Sequence, residues 1–199
     1  MKTTVKILAA SLLLLVSLNL SGQSRFGATA GYLSTRNISS SIVHPDTDTE
    51  NGLYVGILNE TTLTGGLGVE VGVVYALLNY KYSFYQKTIH AVHVPIHLTY
   101  KYFFSPELAV FGFAGVTGTV GVSATWKEQN NSYSLYSGDY KQLNRLDIKP
   151  GIGAGIEFAQ NYQLRVGYDW GMLNQRATAG SESSPLKVNY FHFGFAYMF

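Results

Sequence analysis

Apolar side chains alternate with small or polar ones in eight separate segments of this chain. In the last segment, residues 188–199, an aromatic side chain occupies every second position from Phe191 to Phe199. A period of two places successive side chains on opposite faces of a β-strand. A 3.6-residue period is hard to find after residue 24. The chain is therefore predicted to be all-β, with eight strands.

Each of the other seven segments also has one aliphatic or aromatic face. These segments are residues 25–34, 53–58, 67–75, 91–102, 116–126, 146–158 and 164–172. The second face carries Gly, Thr and Ser together with charged and imidazole side chains. We name the charged and imidazole set the lumen polar network; its predicted members are Glu70, His93, His97, Lys101, Asp147, Lys149, Glu157, Arg165, Asp169 and His192.

The direction of the apolar face separates two kinds of barrel. A water-soluble eight-stranded barrel of the lipocalin type, or a β-sandwich, would bury that face and leave an exterior unusually rich in glycine and poor in lysine. The lumen polar network holds four carboxylates, three lysine or arginine side chains and three histidines. Unpaired charges away from bulk water are costly, so a nearly balanced set suits an enclosed interior. We therefore predict an eight-stranded antiparallel up-and-down transmembrane β-barrel, with lipid outside and a polar lumen.

One segment leaves its register open. If alternation holds across residues 108–126, then Phe111 and Phe113 share the inner face with Thr117 and Thr119. Either the two rings plug the lumen near one rim, or a β-bulge shifts the register there. The side chains expected on the apolar outer face of this strand are Val116, Val120, Val122, Ala124 and Trp126.

The first residues are predicted to be a cleaved signal peptide. Lys2 and Lys6 precede an apolar stretch at residues 7–20, and small residues follow at 21–24. The apolar stretch is shorter than the roughly 20 residues that a transmembrane helix needs. Residues 1–24 are therefore assigned to the signal peptide and residues 25–199 to a single barrel domain.

The predicted connections fall into two length classes. The long ones follow the first, third, fifth and seventh strands, at residues 35–52, 78–88, 127–144 and 173–187. The short ones follow the second, fourth and sixth strands, at residues 59–66, 103–107 and 159–163. Bacterial outer-membrane barrels place long loops outside the cell and short turns in the periplasm. Four long extracellular loops are therefore expected.

Composition excludes several classes of site. The chain has no cysteine, which excludes disulfides, thiolate metal sites, a cysteine nucleophile and a lipoprotein anchor. A net charge of +2 indicates no basic stripe for nucleic acid. His93 and His97 lie about 13 Å apart along a strand, too far to share a metal ion. The sequence 151–155, GIGAG, lies inside a predicted strand and is not a dinucleotide loop. No metal or cofactor is predicted.

Three stretches resemble a known family. FGATAGYLST (26–35), VHVPIHLTYKYFF (92–104) and DIKPGIGAGIEF (147–158) look like the first, fourth and sixth strands of small bacterial outer-membrane barrels. These are the porin-family, PorT-like "outer membrane protein beta-barrel domain" proteins, with OmpX and the OmpA barrel as wider relatives. The resemblance implies a location in the bacterial outer membrane, in contact with lipid and lipopolysaccharide.

The carboxy terminus also resembles a signal of this family. Alternating aromatics that end on a terminal Phe are similar to the sequence that the barrel-assembly machinery reads. The resemblance implies that Phe195, Tyr197 and Phe199 form this assembly signal. It further implies that periplasmic chaperones and the assembly machinery are partners during biogenesis.

The sequence indicates less about the molecular task. An eight-stranded barrel has an interior just wide enough to be filled by side chains, and no Ser–His–carboxylate set can be placed on one site. The main hypothesis is a non-enzymatic protein with a structural, adhesive or envelope-maintenance role carried by its outer loops. A secretion or transport accessory with an unidentified partner, a narrow channel, and an enzyme that modifies lipid A or phospholipid remain alternatives. The only histidines near loops are His44 and His90.

Overall fold

The computed structural model describes residues 23–39, 49–82, 85–128, 131–138, 141–177 and 185–199. All but the last two residues of the predicted signal peptide lie outside these ranges. The described residues form nine strands: β1 (Gln23–Ser39), β2 (Thr49–Thr62), β3 (Leu67–Tyr82), β4 (Tyr85–Ser105), β5 (Leu108–Glu128), β6 (Asn131–Ser134), β7 (Leu146–Phe158), β8 (Tyr162–Asp169) and β9 (Leu186–Met198). No helix among these residues is long and apolar enough to cross a membrane.

Eight of the nine strands close into a ring. Each pairs antiparallel with its neighbours in the order β1, β2, β3, β4, β5, β7, β8, β9, and β9 pairs back to β1. The short β6 pairs only with the end of β5, where Trp126 lies opposite Tyr133. The predicted eight-stranded antiparallel barrel is therefore confirmed, and pairing of β9 with β1 closes the described sheet on itself.

The two ends of the barrel differ in their connections. At the short-turn end, residues 63–66, 106–107 and 159–161 join consecutive strands. Gly66, at φ +85°, lies in the first of these turns, in a conformation that glycine adopts without strain. At the opposite end, β3 and β4 stay paired up to Tyr82 and Tyr85. The prediction of a long loop at residues 78–88 is therefore wrong, because cross-strand pairing continues beyond the apolar part of both strands.

The apolar face of the strands points away from the barrel axis. Ile152 is 56% exposed and Phe193 is 51% exposed on the outer wall, whereas Glu70, on the inner face, is 2% exposed. This arrangement is the inverse of that in a water-soluble barrel. Other exposed apolar residues of the outer wall are Leu53, Val55, Ile57, Leu98, Ile148 and Val166.

Strand β5 resolves the open register. Its pairing with β7 is continuous from Leu108 to Val120, so Phe111 and Phe113 both point inward and are 4% exposed. The register against β4 shifts later, where Gly121 and Ser123 pair with consecutive residues of β4 and Val122 is the extra residue.

This bulge reverses the alternation above it. Ala124 is 1% exposed, and Trp126 packs against the buried cluster that contains Ala124. The prediction that both residues face outward is therefore wrong. Of the two alternatives given for residues 108–126, the first is the one observed at Phe111 and Phe113, because both rings point into the lumen and fill it.

A charge on the middle of the outer wall should destabilise the barrel. Ile152→Lys is expected to lower the free energy of unfolding by about 2–4 kcal/mol, because Ile152 lies at the centre of β7. Leu146→Lys is the matched control, on the same outward face at the end of the strand; its cost should be about 0–1 kcal/mol. Urea unfolding of the refolded protein in lipid vesicles measures both values. Equal costs at the two positions would contradict the assigned orientation in the membrane.

Candidate functional site

The lumen at the short-turn end is closed by a cluster of ion pairs. The Lys101 ammonium lies 2.6 Å from a carboxylate oxygen of Glu60 and 2.6 Å from one of Glu157. Arg25 donates to Glu157 at 2.8 Å, and the side-chain amide of Gln163 donates to Glu157 at 2.8 Å and to Glu60 at 3.2 Å. Because the five residues come from five strands, the cluster crosses the barrel.

A second bridge spans the barrel diameter above this cluster. Arg165 on β8 donates two hydrogen bonds, of 2.6 and 2.7 Å, to the two oxygens of Glu70 on β3. These strands lie opposite each other in the ring. The bidentate geometry compensates both buried charges and fixes the distance between the two walls. His97 extends the bridge, with Nδ1 3.4 Å from Glu70.

Aromatic rings occupy the remaining space at this level. The Arg165 guanidinium lies 5.0 Å from the ring centroid of Phe113, and the His97 ring stacks on the Phe113 ring with a centroid distance of 5.1 Å. A Cβ atom at Gly153 would collide with the Phe113 ring, and one at Gly155 with the Phe111 ring. Glycines on β7 therefore provide the room that these rings need in a narrow lumen.

A cavity of about 80 Å³ lies beside the bridge. His93, His192 and Asp169 line it, together with Thr117 and Tyr54. His93 Nδ1 is 3.0 Å from the hydroxyl of Thr119. In the described part of the chain, His93 Nε2 and one carboxylate oxygen of Asp169 have no hydrogen-bond partner. Ordered water is the usual partner of such buried atoms, and the volume accommodates several molecules.

The upper lumen is held by a third set of contacts. Lys149 pairs with Asp147 on the same strand, and its ammonium lies 4.5 Å from the ring centroid of Tyr190. Asp147 also accepts hydrogen bonds from the backbone N–H groups of Ile148 and Leu173, at 2.9 and 3.0 Å. Thus all ten residues of the lumen polar network lie on the inner face; nine are buried and His192 is partly buried.

Four charged residues and one amide of the lumen were not predicted from the sequence. Glu60 was placed in the predicted turn at 59–66, although it continues the inward alternation of Tyr54 and Leu58. Glu50 and Lys87 pair with each other inside the far end of the barrel, where loops were expected. With Arg25 included, the ion pairs on the inner face of the described residues involve six carboxylates and five lysine or arginine side chains, two more of each than predicted. The amide is that of Gln163.

No metal centre is evident within the described ranges, where His, Asp and Glu side chains form no group of three that could hold an ion. His93 and His97 belong to separate contacts in the lumen. Asp46 and Asp48 lie outside the described residues. On the outer wall, Nδ1 of His90 and the hydroxyl of Tyr75 form a hydrogen bond of 2.5 Å.

The far end of the barrel is partly covered by a cap, which we define as residues 131–138 and 141–145. Leu135 and Tyr136 are buried there against Ala124. The Arg145 guanidinium lies 4.6 Å from the Tyr136 ring centroid and donates to the carbonyl of Gly121 at 3.0 Å. Burial raises the pKa of Tyr136 to about 12, and the charge of Arg145 opposes that rise. The phenol therefore remains neutral at physiological pH.

The cap is also attached to the connection between β8 and β9. The Asn144 side chain donates to the carbonyls of Asn174 and Arg176, at 2.9 and 3.1 Å, and Leu143 forms an isolated β-bridge with Arg176. These contacts hold two connections together over one side of the barrel mouth.

The predicted assembly signal lies on the outer wall at the short-turn end. Phe195 and Tyr197 contact the ring of Tyr162, at centroid distances of 5.9 and 5.2 Å. The backbone N–H of Phe199 donates a 2.7 Å hydrogen bond to the backbone carbonyl of Phe26. Recognition of these residues during assembly stays a prediction.

Loss of one partner of the diameter bridge should cost more than loss of both. Arg165→Met leaves Glu70 buried without a counter-charge, so we expect it to lower the free energy of unfolding by about 3–5 kcal/mol. The double variant Arg165→Met/Glu70→Leu should recover most of that loss. Urea unfolding of the refolded proteins measures both. If the double variant is as unstable as the single one, the bridge is not the source of the effect.

The seat of Tyr136 on the barrel can be tested at a glycine. A Cβ at Gly121 would overlap the Tyr136 hydroxyl, so Gly121→Val should displace the cap and speed its proteolysis. The control is Gly118→Val on the same strand, where a Cβ would approach only the Val94 carbonyl, at 4.0 Å. Limited proteolysis of the refolded proteins measures the rate. Equal cleavage of both variants would contradict the packing of the cap on β5.

Comparison with known proteins identifies a family. The family described as "Outer membrane protein beta-barrel domain" matches residues 17–175 of the chain. The search of curated protein sequences found no match to the chain.

Several solved structures share the fold. Neisserial surface protein A (NspA) is 13% identical, with a TM-score of 0.53, over 89% of this chain and 99% of NspA. Ail, the attachment invasion locus protein of Yersinia pestis, is 15% identical, with a TM-score of 0.50 over 89% of this chain and 99% of Ail. A second Ail structure, in complex with the heparin analogue sucrose octasulfate, is 13% identical with a TM-score of 0.52, over 89% and 99% of the two chains. At these identities the likeness concerns the fold.

Proposed function

The chain belongs to the outer membrane protein β-barrel domain family, and on that premise we propose that it is a non-enzymatic surface protein of the bacterial outer membrane. Its outer wall contacts lipid and lipopolysaccharide, as in other barrels of that membrane. The cap carries a structural, adhesive or envelope-maintenance role. Assembly depends on periplasmic chaperones and on the barrel-assembly machinery, which reads Phe195, Tyr197 and Phe199.

The closed lumen is the observation that carries this proposal. Two successive layers cross the interior: the cluster around Lys101, and the Arg165–Glu70 bridge with its aromatic neighbours. Both layers use buried, paired charges, and opening either one would leave charges without partners. A path for solutes through the barrel is therefore unfavourable, so the role is assigned to the surfaces.

The outer rim supports a non-enzymatic role. Ser123 is the cross-strand neighbour of His90, which is the pair of residue types that a hydrolase would use. However, His90 is oriented by the Tyr75 hydroxyl at 2.5 Å and not by a carboxylate, and no hydrogen bond joins it to Ser123 in the described part of the chain. A third group that would orient and charge-stabilise the imidazole is missing there. His44 lies outside the described residues.

The cap is built as an ordered surface. Its side facing the barrel is fixed by Leu135, Tyr136 and Arg145, so its outer side has a defined shape. Loops held by a rigid scaffold are the usual carriers of recognition. A role in attachment is compatible with this fold, since Ail, the attachment invasion locus protein, shares it.

Two measurements test the proposal, and the first concerns conduction. Purified wild-type protein in planar bilayers should give no steady conductance, with an open porin as the positive control, because the two lumen layers block the interior. A reproducible step conductance would contradict the closed lumen and would favour the narrow-channel alternative.

The second measurement concerns the cap in cells. A strain lacking the protein is complemented with the wild type, Gly121→Val or Gly118→Val at equal surface amounts. We expect Gly121→Val to fail in restoring surface attachment and resistance to dye uptake, because its cap is displaced, whereas Gly118→Val should restore both. Full rescue by both variants would oppose a role of the cap.

Biochemical assays separate the remaining alternatives. Product formation from labelled lipopolysaccharide by the wild type, lost in His90→Ala, would contradict the non-enzymatic role. A stoichiometric protein partner after extraction from native membranes would favour a secretion or transport accessory instead.

A further inference from the structure

The outer face of β3, β4 and β5 changes character beyond the apolar wall. Tyr75, Val92 and Val120 form the last largely apolar row across the three strands. Two rows further out, Asn79 pairs with Thr88, and Thr88 pairs with Thr125. We name the set Asn79, Thr88 and Thr125 the hydroxyl–amide row. It is held by a 3.0 Å hydrogen bond from the Thr88 hydroxyl to Asn79.

The next row is cationic. Lys81 pairs with Gln86, and Gln86 pairs with Lys127, so these three exposed side chains stand on the same outer face. We name Lys81, Gln86 and Lys127 the lysine row. Adjacent strands lie about 4.8 Å apart, which places the Cα atoms of the two lysines about 10 Å from each other. Two long ammonium side chains at this spacing can converge on one anion or hold two neighbouring anions.

The height of the lysine row identifies what surrounds it. Gln86 lies six residues beyond Val92 on β4, or about 20 Å along the strand at 3.3 Å per residue. A strand tilt of roughly 40° converts this distance to about 15 Å above the apolar wall. Phospholipid headgroups extend only about 5–7 Å from the hydrocarbon core. The lysine row therefore lies above such headgroups, at the level of the sugars of an outer-leaflet glycolipid.

The charges of this row are uncompensated within the described part of the chain. No ion pair of Lys81 or Lys127 occurs there, whereas Lys87, on the inner face, pairs with Glu50. The one exposed carboxylate described at this end of the barrel is Glu128. It directly follows Lys127 and so points to the opposite face of β5. Four other carboxylates of the connections lie outside the described ranges: Asp46, Asp48, Asp139 and Glu182.

From this geometry we infer that the lysine row binds phosphate groups of lipopolysaccharide, and that the hydroxyl–amide row below it contacts the sugar hydroxyls. An anionic, phosphorylated sugar headgroup matches both the two ammonium groups and the amide and hydroxyl donors beneath them. The binding site lies on the side wall of β3, β4 and β5, away from the cap. The inference rests on the outer-membrane location and is independent of the role proposed for the cap.

The test compares two double variants that remove the same charge. The processed protein is extracted from outer membranes, exchanged into a neutral detergent and titrated with purified lipopolysaccharide or with the dephosphorylated form. Lys81→Gln/Lys127→Gln should weaken binding of the phosphorylated form about tenfold or more, since each lysine contributes about 1 kcal/mol near an anionic surface. Its affinity for the dephosphorylated form should equal that of the wild type. Retained heat-dependent gel mobility verifies that the variant is folded.

The control variant is Lys141→Gln/Lys187→Gln, which alters one lysine of the cap and one on β9. It should bind phosphorylated lipopolysaccharide as the wild type does. Equal weakening in both double variants would show a general charge effect and overturn the site. Unchanged binding in Lys81→Gln/Lys127→Gln would overturn it as well, and so would equally tight binding of sucrose octasulfate, a soluble polyanion without the lipid.

Discussion

A ring of eight strands encloses so little space that each inward side chain must fit against those of the opposite wall. This constraint explains why charged, aromatic and glycine residues occur together on the inner face. Arg165 spans the diameter and donates two hydrogen bonds to Glu70, while Gly153 and Gly155 leave room for the rings of Phe111 and Phe113 on the neighbouring strand β5. Pairing of buried charges sets the requirement, and the glycines make it geometrically feasible.

The same constraint divides the labour between the surfaces of the molecule. The interior is occupied by contacts between its own side chains, from the Lys101 cluster to the Lys149–Asp147 pair. The side wall is apolar over the middle of the barrel and becomes polar, then cationic, on β3, β4 and β5. The cap closes part of the mouth through Tyr136 and Arg145. The proposed interactions with other molecules therefore lie on the outer wall and on the cap.

Alternation in the sequence predicted the number of barrel strands, their antiparallel arrangement and, except beyond the bulge in β5, the face that points inward. These features follow from a local period of two, so residues such as Ile152 and Lys149 could be assigned without knowing their neighbours. Strand ends were harder to locate, because pairing continues wherever a partner strand is available. For this reason Glu50, Glu60 and Lys87 were placed in connections although they lie within strands. Their charges belong to the lumen as much as those of the predicted residues.

The bulge at Val122 could not be read from β5 alone. It is defined by the mismatch between β5 and β4, and the residues around it are as compatible with regular alternation as with an inserted residue. Its effect on Ala124 and Trp126 is nonetheless large, because it exchanges the two faces of the strand. The cap likewise depends on contacts between separate connections, such as those of Asn144 with Asn174 and Arg176, which no local pattern contains.

The bulge also has a meaning for protein engineering. Beyond Val122 the strand directs its hydrophobic residues towards the cap and its polar residues outward. The alternation of apolar and polar positions along β5 is therefore inverted at this one residue. Suppose residues 123–145 were grafted onto another barrel without this insertion. Trp126 would then point outward, and the transplanted cap would lose the side chains of β5 against which it packs. A transplanted cap should therefore begin before Val122, so that the bulge is transferred together with the cap.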